Sequence, residues 1–295
     1  MLRRRDNNPS GSSHHARMHT LAGAGKGVIT GQSVLALQVG SHQDPGIRRK
    51  HRPNEDTILV TQGSVPSASP STSPKPFALL IVADGMGGQA HGQEASRLAV
   101  RSLAKYVSGS LGSQQMKPGA VLALLTAGVQ YANQLVYQHN REQRDDMGTT
   151  MTAALVMDNT AYVAHVGDSR LYLYREPRGL VQITQDHTVV ASLVAAGVIK
   201  SKDIYTHPMR NRIYRSLGDK ATAEVDGYTV PLAAGDLLLL CSDGLWEMVR
   251  DQQITAILTT PRPHPSETAH ALVQAALAGG GEDNVSVIVA QVSNV

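Results

Sequence analysis

The sequence predicts an α+β fold with mostly antiparallel sheet in the middle and helices outside. Three observations carry that expectation. Between 151 and 183, four short apolar segments are joined by links of turn length: Asp158-Asn159-Thr160, Gly167-Asp168-Ser169-Arg170 and residues 175–179. Links that short join antiparallel neighbours, because parallel strands need a long crossover. After Gln93 and again after Pro118 the apolar spacing changes to three or four residues, the period of a helix with one buried face. Residues 77–83 are apolar throughout and few, as in a strand covered on both sides.

Residues 1–32 are rich in Gly, Ser, His and Arg without periodicity, and read as a disordered basic tail ahead of a folded domain, 33–295. Strands are expected at 33–39, 57–60 and 77–83. The segment 63–76, with five Ser and four Pro, is expected to be an exposed loop. In the first long helix Ala95, Leu98, Ala99, Leu103, Tyr106 and Val107 share a face. The second opens on Pro118 and lines up Val121, Leu125, Val129, Ala132 and Val136. Strands follow at 151–157, 161–166, 171–174 and 180–183, then a helix at 189–196 and a polar stretch to Gly218. Strands near 225–230 and at 237–241, helices near 252–258 and 266–277, and a last strand at 285–292 complete the chain.

Composition narrows the function. Of 295 residues 41% are hydrophobic and 17% charged, which is globular material. The net charge, 27 − 24 = +3, lies largely in the tail, and aromatics are only 4%. That argues against a nucleic-acid partner, which needs a basic stripe or stacking platforms. One cysteine, Cys241, excludes a disulfide framework and a cysteine zinc site, and suits a cytoplasmic setting. No run of 18 apolar residues exists, so no membrane span is expected. The basic start, Met1 to Arg5, lacks the apolar stretch of a secretory leader.

The informative feature is where carboxylates fall relative to strands. Asp84, Asp168 and Asp243 each follow a predicted strand, while Glu55-Asp56 and Glu282-Asp283 each precede one. In an antiparallel sheet the exit of one strand lies beside the entry of the next, so these acids share one rim. Any single one is explained as a turn residue. Several together repel one another unless a cation neutralises them. All are hard oxygen donors, which suit Mg²⁺ or Mn²⁺ rather than zinc. Two such cations about 3.5–4 Å apart lower the pKa of a shared water and present it for in-line attack on phosphorus. The phosphate then needs a forked cation, and Arg48, Arg49 and Arg52 lie just upstream of Glu55.

At these residues the sequence resembles the metal-dependent Ser/Thr protein phosphatases of the protein phosphatase 2C (PPM) family, in their bacterial form. The blocks that carry the resemblance are Gly46-Ile47-Arg48, Asn54-Glu55-Asp56, Val82-Ala83-Asp84-Gly85-Met86-Gly87-Gly88, Met147-Gly148-Thr149-Thr150, Gly167-Asp168-Ser169-Arg170, Asp186-His187, Ser242-Asp243-Gly244-Leu245-Trp246 and Glu282-Asp283-Asn284-Val285. They stand in the family's order from about Val34 to Val292. The resemblance implies a four-layer αββα sandwich with metals at one edge, and hydrolysis of phosphoserine or phosphothreonine by a metal-bridging hydroxide. It implies two Mn²⁺ or Mg²⁺ ions, with a third, weaker one in bacterial members. Asp84 would bridge the pair, the Gly85 carbonyl would bind one ion, and Asp243 and Asp283 would complete the first site. Glu55 and Asp56 would serve the second, and Asp146 with Asp243 the third. Asp168 and Arg170 would brace the rim. Residues 187–222 or so would form a flap that screens substrates. The implied partners are phosphoproteins, substrates of bacterial Ser/Thr kinases in signal transduction, and the implied state is a monomer.

The sequence departs from the family's pattern in three places. The family's single Arg, about five residues before the metal Asp, is replaced by His51, and the segment is two residues longer; Arg49 is the first choice for the phosphate contact, with Arg52 and Arg48 behind it. The family's proton-donating His after Asp-Gly is missing: Met86 and Gln89 stand near its place, and His91 is a displaced candidate beside a metal-bound water. The Ser/Pro segment 63–76 is an insertion. Two other functions compete: an inactive scaffold that binds phosphoproteins, suggested by the arginine spacing, and a two-metal phosphodiesterase or nuclease, suggested by the basic tail.

Overall fold

The computed structural model describes residues 18–20, 35–65, 74–87, 91–111 and 118–294. In chain order, strands β1 (Met18–Thr20), β2 (Leu35–Asp44), β3 (Asp56–Val65) and β4 (Lys75–Met86) precede helices α1 (His91–Leu111) and α2 (Pro118–Gln143). Strands β5 (Gly148–Thr149), β6 (Met151–Met157), β7 (Thr160–Val166), β8 (Arg170–Arg175) and β9 (Gly179–Gln182) follow. Helix α3 (Val189–Ala195) and a 3-10 turn (Ser201–Tyr205) lead to β10 (Asp226–Pro231) and β11 (Leu237–Cys241). Helices α4 (Asp243–Trp246), α5 (Asp251–Thr259) and α6 (Pro265–Ala278) and strand β12 (Val285–Asn294) close the fold.

Two sheets form. One runs β1-β10-β7-β6-β4-β3, with β5 attached to the end of β4, and the other runs β2-β12-β11-β8-β9. Every pairing is antiparallel except β1 with β10. Strand β4 shows why the layers stack as they do. Its side chains alternate between faces. Leu79, Ile81 and Ala83 pack with Ala95, Leu103, Leu125 and Val129 of α1 and α2. Ala78, Leu80 and Val82 pack with Leu238, Leu240 and Ile288 of the opposite sheet. The outer face of that sheet, Leu239, Cys241, Val287 and Val289, meets Ile254, Leu272 and Val273 of α5 and α6. The order is therefore helices, sheet, sheet, helices, the expected αββα sandwich.

Differences from the sequence expectation cluster at strand ends. Strand β4 does not stop before Asp84 but continues to Met86, because β5 supplies hydrogen-bonding partners in register Gly85↔Thr149 and Met86↔Gly148. Strand β3 starts at Asp56 and runs to Val65, so the expected loop gives up residues at both ends to the β3–β4 ladder; residues 66–73 lie outside the described residues. The turn expected at Asp243-Gly244 is the first turn of the short helix α4, whose Asp243 follows the cap residue Ser242. Met18–Thr20, in the segment expected to be a tail, pairs with the edge strand β10; most of that segment lies outside the described residues.

Helix α2 is long and apolar enough to cross a membrane by length and composition, which the sequence reading did not expect. Here it is a core helix. Val121, Leu125, Val129, Ala132 and Val136 are buried against α1 and the first sheet. Its buried Asn133 donates to Lys220 O and accepts from Gly218 N, and Asn140 donates to Met147 O. That polar stripe ties α2 to the region preceding β5 and to the flap's return.

Candidate metal centre

The rim forms because β3, β4, β11 and β12 end together. Asp56 and Asp84 are direct cross-strand partners in the β3–β4 register. Asp243 stands two residues beyond β11, and Asp283 two residues before β12, the neighbour of β11. Four acids distant in sequence are thus carried to one edge by strand pairing alone.

Short side chains lock the backbones in place. Asp84 N donates to Thr150 Oγ1 at 2.9 Å, and Thr150 Oγ1 shares a hydrogen bond with Ser169 Oγ at 2.8 Å. Thr149 Oγ1 donates to Asp84 O at 2.9 Å. Asn284 Oδ1 accepts from Glu55 N at 2.8 Å, while Asn284 Nδ2 donates to Pro45 O at 2.8 Å. Gly85 must be glycine: a Cβ there would lie 1.9 Å from Gly92 O at the start of α1, and one on Gly92 would lie 2.8 Å from Glu55 Oε1. This close approach seats α1 against the rim.

The carboxylates are buried and under strain of charge. Burial pushes Asp56 up to about 6, opposed by hydrogen bonds from Ser286 and Ser242 and aided by the charge of Asp283. Asp84 is raised well above the usual carboxylate range by burial, then by Asp56, Asp243, Asp283 and Asp168. Asp243 is raised likewise by burial, then by Asp168, Asp283, Glu247 and Asp56. Asp283 is raised by burial, with Arg49 opposing. These mutual effects show that the acids face one another.

Among the described residues, no three His, Cys, Asp or Glu side chains stand at a common coordination distance. The donor set nevertheless fits a divalent cation. Asp56 Oδ1, Asp168 Oδ1 and Asp243 Oδ1 are buried and accept no hydrogen bond. A buried oxygen without a partner costs about 1–3 kcal/mol, and three around mutually repelling carboxylates are what a hard cation would satisfy. Asp84, Asp243 and Asp283 with the Gly85 carbonyl, and Glu55 with Asp56, are the residues that would hold it.

The three arginines separate. Arg49 Nη1 bridges Glu55 Oε2 at 2.7 Å and Asp283 Oδ1 at 2.9 Å. Its Nε and Nη2 make no hydrogen bond among the described residues. Arg48 pairs with Glu282 at 3.1 Å, largely exposed. Arg52 is exposed and makes no ion pair among the described residues. Asp146 is exposed and lines a cleft of about 900 Å³ beside the rim, floored by Met86 and Gly87 and walled by Tyr137, Arg141, Ile213 and Tyr214. His91, whose Cβ lies 3.2 Å from where a Cβ on Gly87 would stand, engages Asp145 Oδ1 through Nδ1 at 2.8 Å.

Some participants were not evident from the sequence. Arg170 grips Asp186 through Nε and Nη2, at 2.9 and 2.6 Å, and lies 3.7 Å from the ring centroid of Trp246. Trp246 Nε1 donates to Asp168 O at 3.0 Å, and Tyr205 of the flap stacks on Trp246 and is covered by Arg250. Asp168, expected only as a brace, is pushed up to about 7 by burial and then by Asp186, and keeps an unpartnered oxygen. The signal was present, since Trp246 and Arg170 sit in motif blocks, but nothing in the sequence says that they stack. At the flap's base Arg215 pairs with Glu224 and Asp226, and Asp226 with His187.

A layered sandwich whose sheet edges gather buried acids beside a fork-bearing arginine defines a metal-dependent phosphohydrolase. A sequence profile of the protein phosphatase 2C family matches residues 49–279, and the chain belongs to that family. It is 37% identical over 218 residues to the serine/threonine phosphatase stp of Listeria monocytogenes, covering 72% of this chain and 84% of that one. It is 42% identical over 262 residues to the serine/threonine protein phosphatase PstP of Mycobacterium tuberculosis, covering 88% of this chain but 46% of the longer relative. Among solved structures, the catalytic domain of PstP in complex with two manganese ions superposes with a TM-score of 0.72 at 35% identity, covering 88% of this chain and all of that one. Stp1 from Staphylococcus aureus superposes with a TM-score of 0.76 at 30% identity, covering 91% and 98%.

Proposed function

We propose that this chain hydrolyses phosphoserine and phosphothreonine in proteins, using two Mn²⁺ or Mg²⁺ ions. The observation that carries the reading is the set of buried carboxylates, raised by one another's charge, with partnerless oxygens on Asp56 and Asp243. When bound, the ions supply a nucleophile at neutral pH and neutralise charge on the phosphoryl oxygens. Asp84, Asp243 and Asp283 with Gly85 O hold one ion, and Glu55 and Asp56 the other. Arg49, anchored by Nη1 to both sets, keeps Nε and Nη2 for the phosphate and orients it in line. His91, with Nδ1 engaged by Asp145, offers Nε2 to protonate the leaving alkoxide. A third, weaker ion at Asp146 and Asp243 belongs to the same reading. Residues 187–222 cover the cleft and screen substrates. The substrates are phosphoproteins made by bacterial Ser/Thr kinases, met by a monomer in the cytoplasm.

The test is hydrolysis of a phosphothreonine peptide. We expect turnover with Mn²⁺, none in EDTA, and none in Asp84→Asn or Asp243→Asn. Full activity in either variant overturns the assignment.

A further inference from the structure

Immediately ahead of Glu55 the chain sets down Arg48-Arg49-Lys50-His51-Arg52, four permanent cations and a histidine in five residues. The segment is a turn held at both ends. Arg48 N donates to Gly281 O at 3.0 Å, and Arg52 N to Arg49 O at 2.8 Å. At its start Gly46 has φ +79°, and a Cβ there would lie 2.1 Å from Asp283 O, so the turn is seated on the strand-end that carries Asp283.

Two of the cations are engaged, Arg48 by Glu282 and Arg49 by Glu55 and Asp283. Lys50, His51 and Arg52 are exposed and make no hydrogen bond or ion pair among the described residues. Like charges pinned together repel, and a ligand that brings an anion relieves them. The cleft on the other side of the rim offers no such excess: Arg141 and Arg144 are matched there by Asp145, Asp146 and Asp219.

We propose that Lys50, His51 and Arg52 form an anion-reading ridge, which selects phosphoproteins carrying a second anionic group two to four residues from the scissile phosphate. The inference rests on the phosphatase reading and names its substrate class. Arg52 is three residues before Glu55, so their Cα atoms lie within about 11 Å. An extended substrate advances about 3.3–3.6 Å per residue, so a group two to four residues away falls roughly 7–14 Å from the phosphate. The second group is an acidic side chain or another phosphate, since the ridge reads charge rather than a fixed shape.

The experiment compares three phosphothreonine peptides in Mn²⁺: one with neutral flanks, one with glutamates at the second to fourth flanking positions, and one with a second phosphothreonine there. p-Nitrophenyl phosphate, which has no flank, reports the intact centre. Wild type is expected to favour both anionic peptides in kcat/KM by on the order of fivefold to tenfold at low salt. The preference shrinks as salt shortens the Debye length below about 10 Å. In Lys50→Gln/Arg52→Gln the preference falls below about twofold, while p-nitrophenyl phosphate turnover and the melting temperature stay at wild-type values. A larger gain for the doubly phosphorylated peptide than for the glutamate peptide identifies phosphate as the preferred second group. Equal kcat/KM on all three peptides in wild type, or a preference that survives in the double variant, overturns the ridge and leaves the phosphatase reading standing. No turnover of any substrate overturns both.

Discussion

Replacing Asp243 by Asn is expected to stabilise the protein when divalent metal is withheld and to cripple it when metal is supplied. Asp243 is fully enclosed, its Oδ1 accepts no hydrogen bond, and the charges of Asp168, Asp283, Glu247 and Asp56 press on it. An amide keeps the shape and removes the charge. A buried unpartnered polar group costs about 1–3 kcal/mol. At about 2–4 °C per kcal/mol for a domain near this size, the variant should melt roughly 2–12 °C above wild type in EDTA at pH 7. Metal reverses the order, because a ligand at 100 times its Kd adds about 2.7 kcal/mol to the protein that binds it. The assay is a thermal melt of both proteins in EDTA and in Mn²⁺, repeated at pH 4.5. Because folding raises the pKa of Asp243, the folded carboxyl keeps its proton after the unfolded one has lost it. The penalty is therefore small in acid and grows as pH rises, so the gap between the proteins should narrow at pH 4.5. A variant less stable than wild type in EDTA at neutral pH would refute the view that these acids are held apart at a cost only a cation repays.

The same linkage predicts the chelated wild type's pH dependence: with Asp56 held near 6 and Asp168 near 7, stability should fall from about pH 4 to pH 7 by several kcal/mol, as urea melts would show, and Mn²⁺ should flatten the slope. Asp186→Ala leaves the Arg170 guanidinium buried without its carboxylate, and should cost about 3–5 kcal/mol in denaturant unfolding. Arg49→Ala removes the only link joining Glu55 and Asp283 to one guanidinium, and should lower kcat/KM for a phosphopeptide by about 10- to 100-fold, with isothermal titration checking that two Mn²⁺ ions still bind.

Much of this protein was legible before any coordinates. Strands β6 and β11 fall at the expected residues, and α1, α2, α5 and α6 begin and end within a few residues of expectation. Apolar periodicity is a local property, so the chain states it directly. Acids at strand ends were legible for the same reason. Other features needed the fold. That Asp56 stands opposite Asp84 depends on strand register, which two segments set jointly. Helix α4 was invisible because Asp-Gly favours a turn in isolation, and it becomes helical only where Leu245 and Trp246 are buried. The roles of Arg48, Arg49 and Arg52 could not be told apart in a basic run, since each depends on which carboxylate lies within reach: Glu282 for Arg48, Glu55 and Asp283 for Arg49, none for Arg52. The sequence by itself determined which segments are strand or helix and which atoms are available as donors. Tertiary structure alone decided which of those atoms meet, because burial and charge repulsion act between groups more than two hundred residues apart.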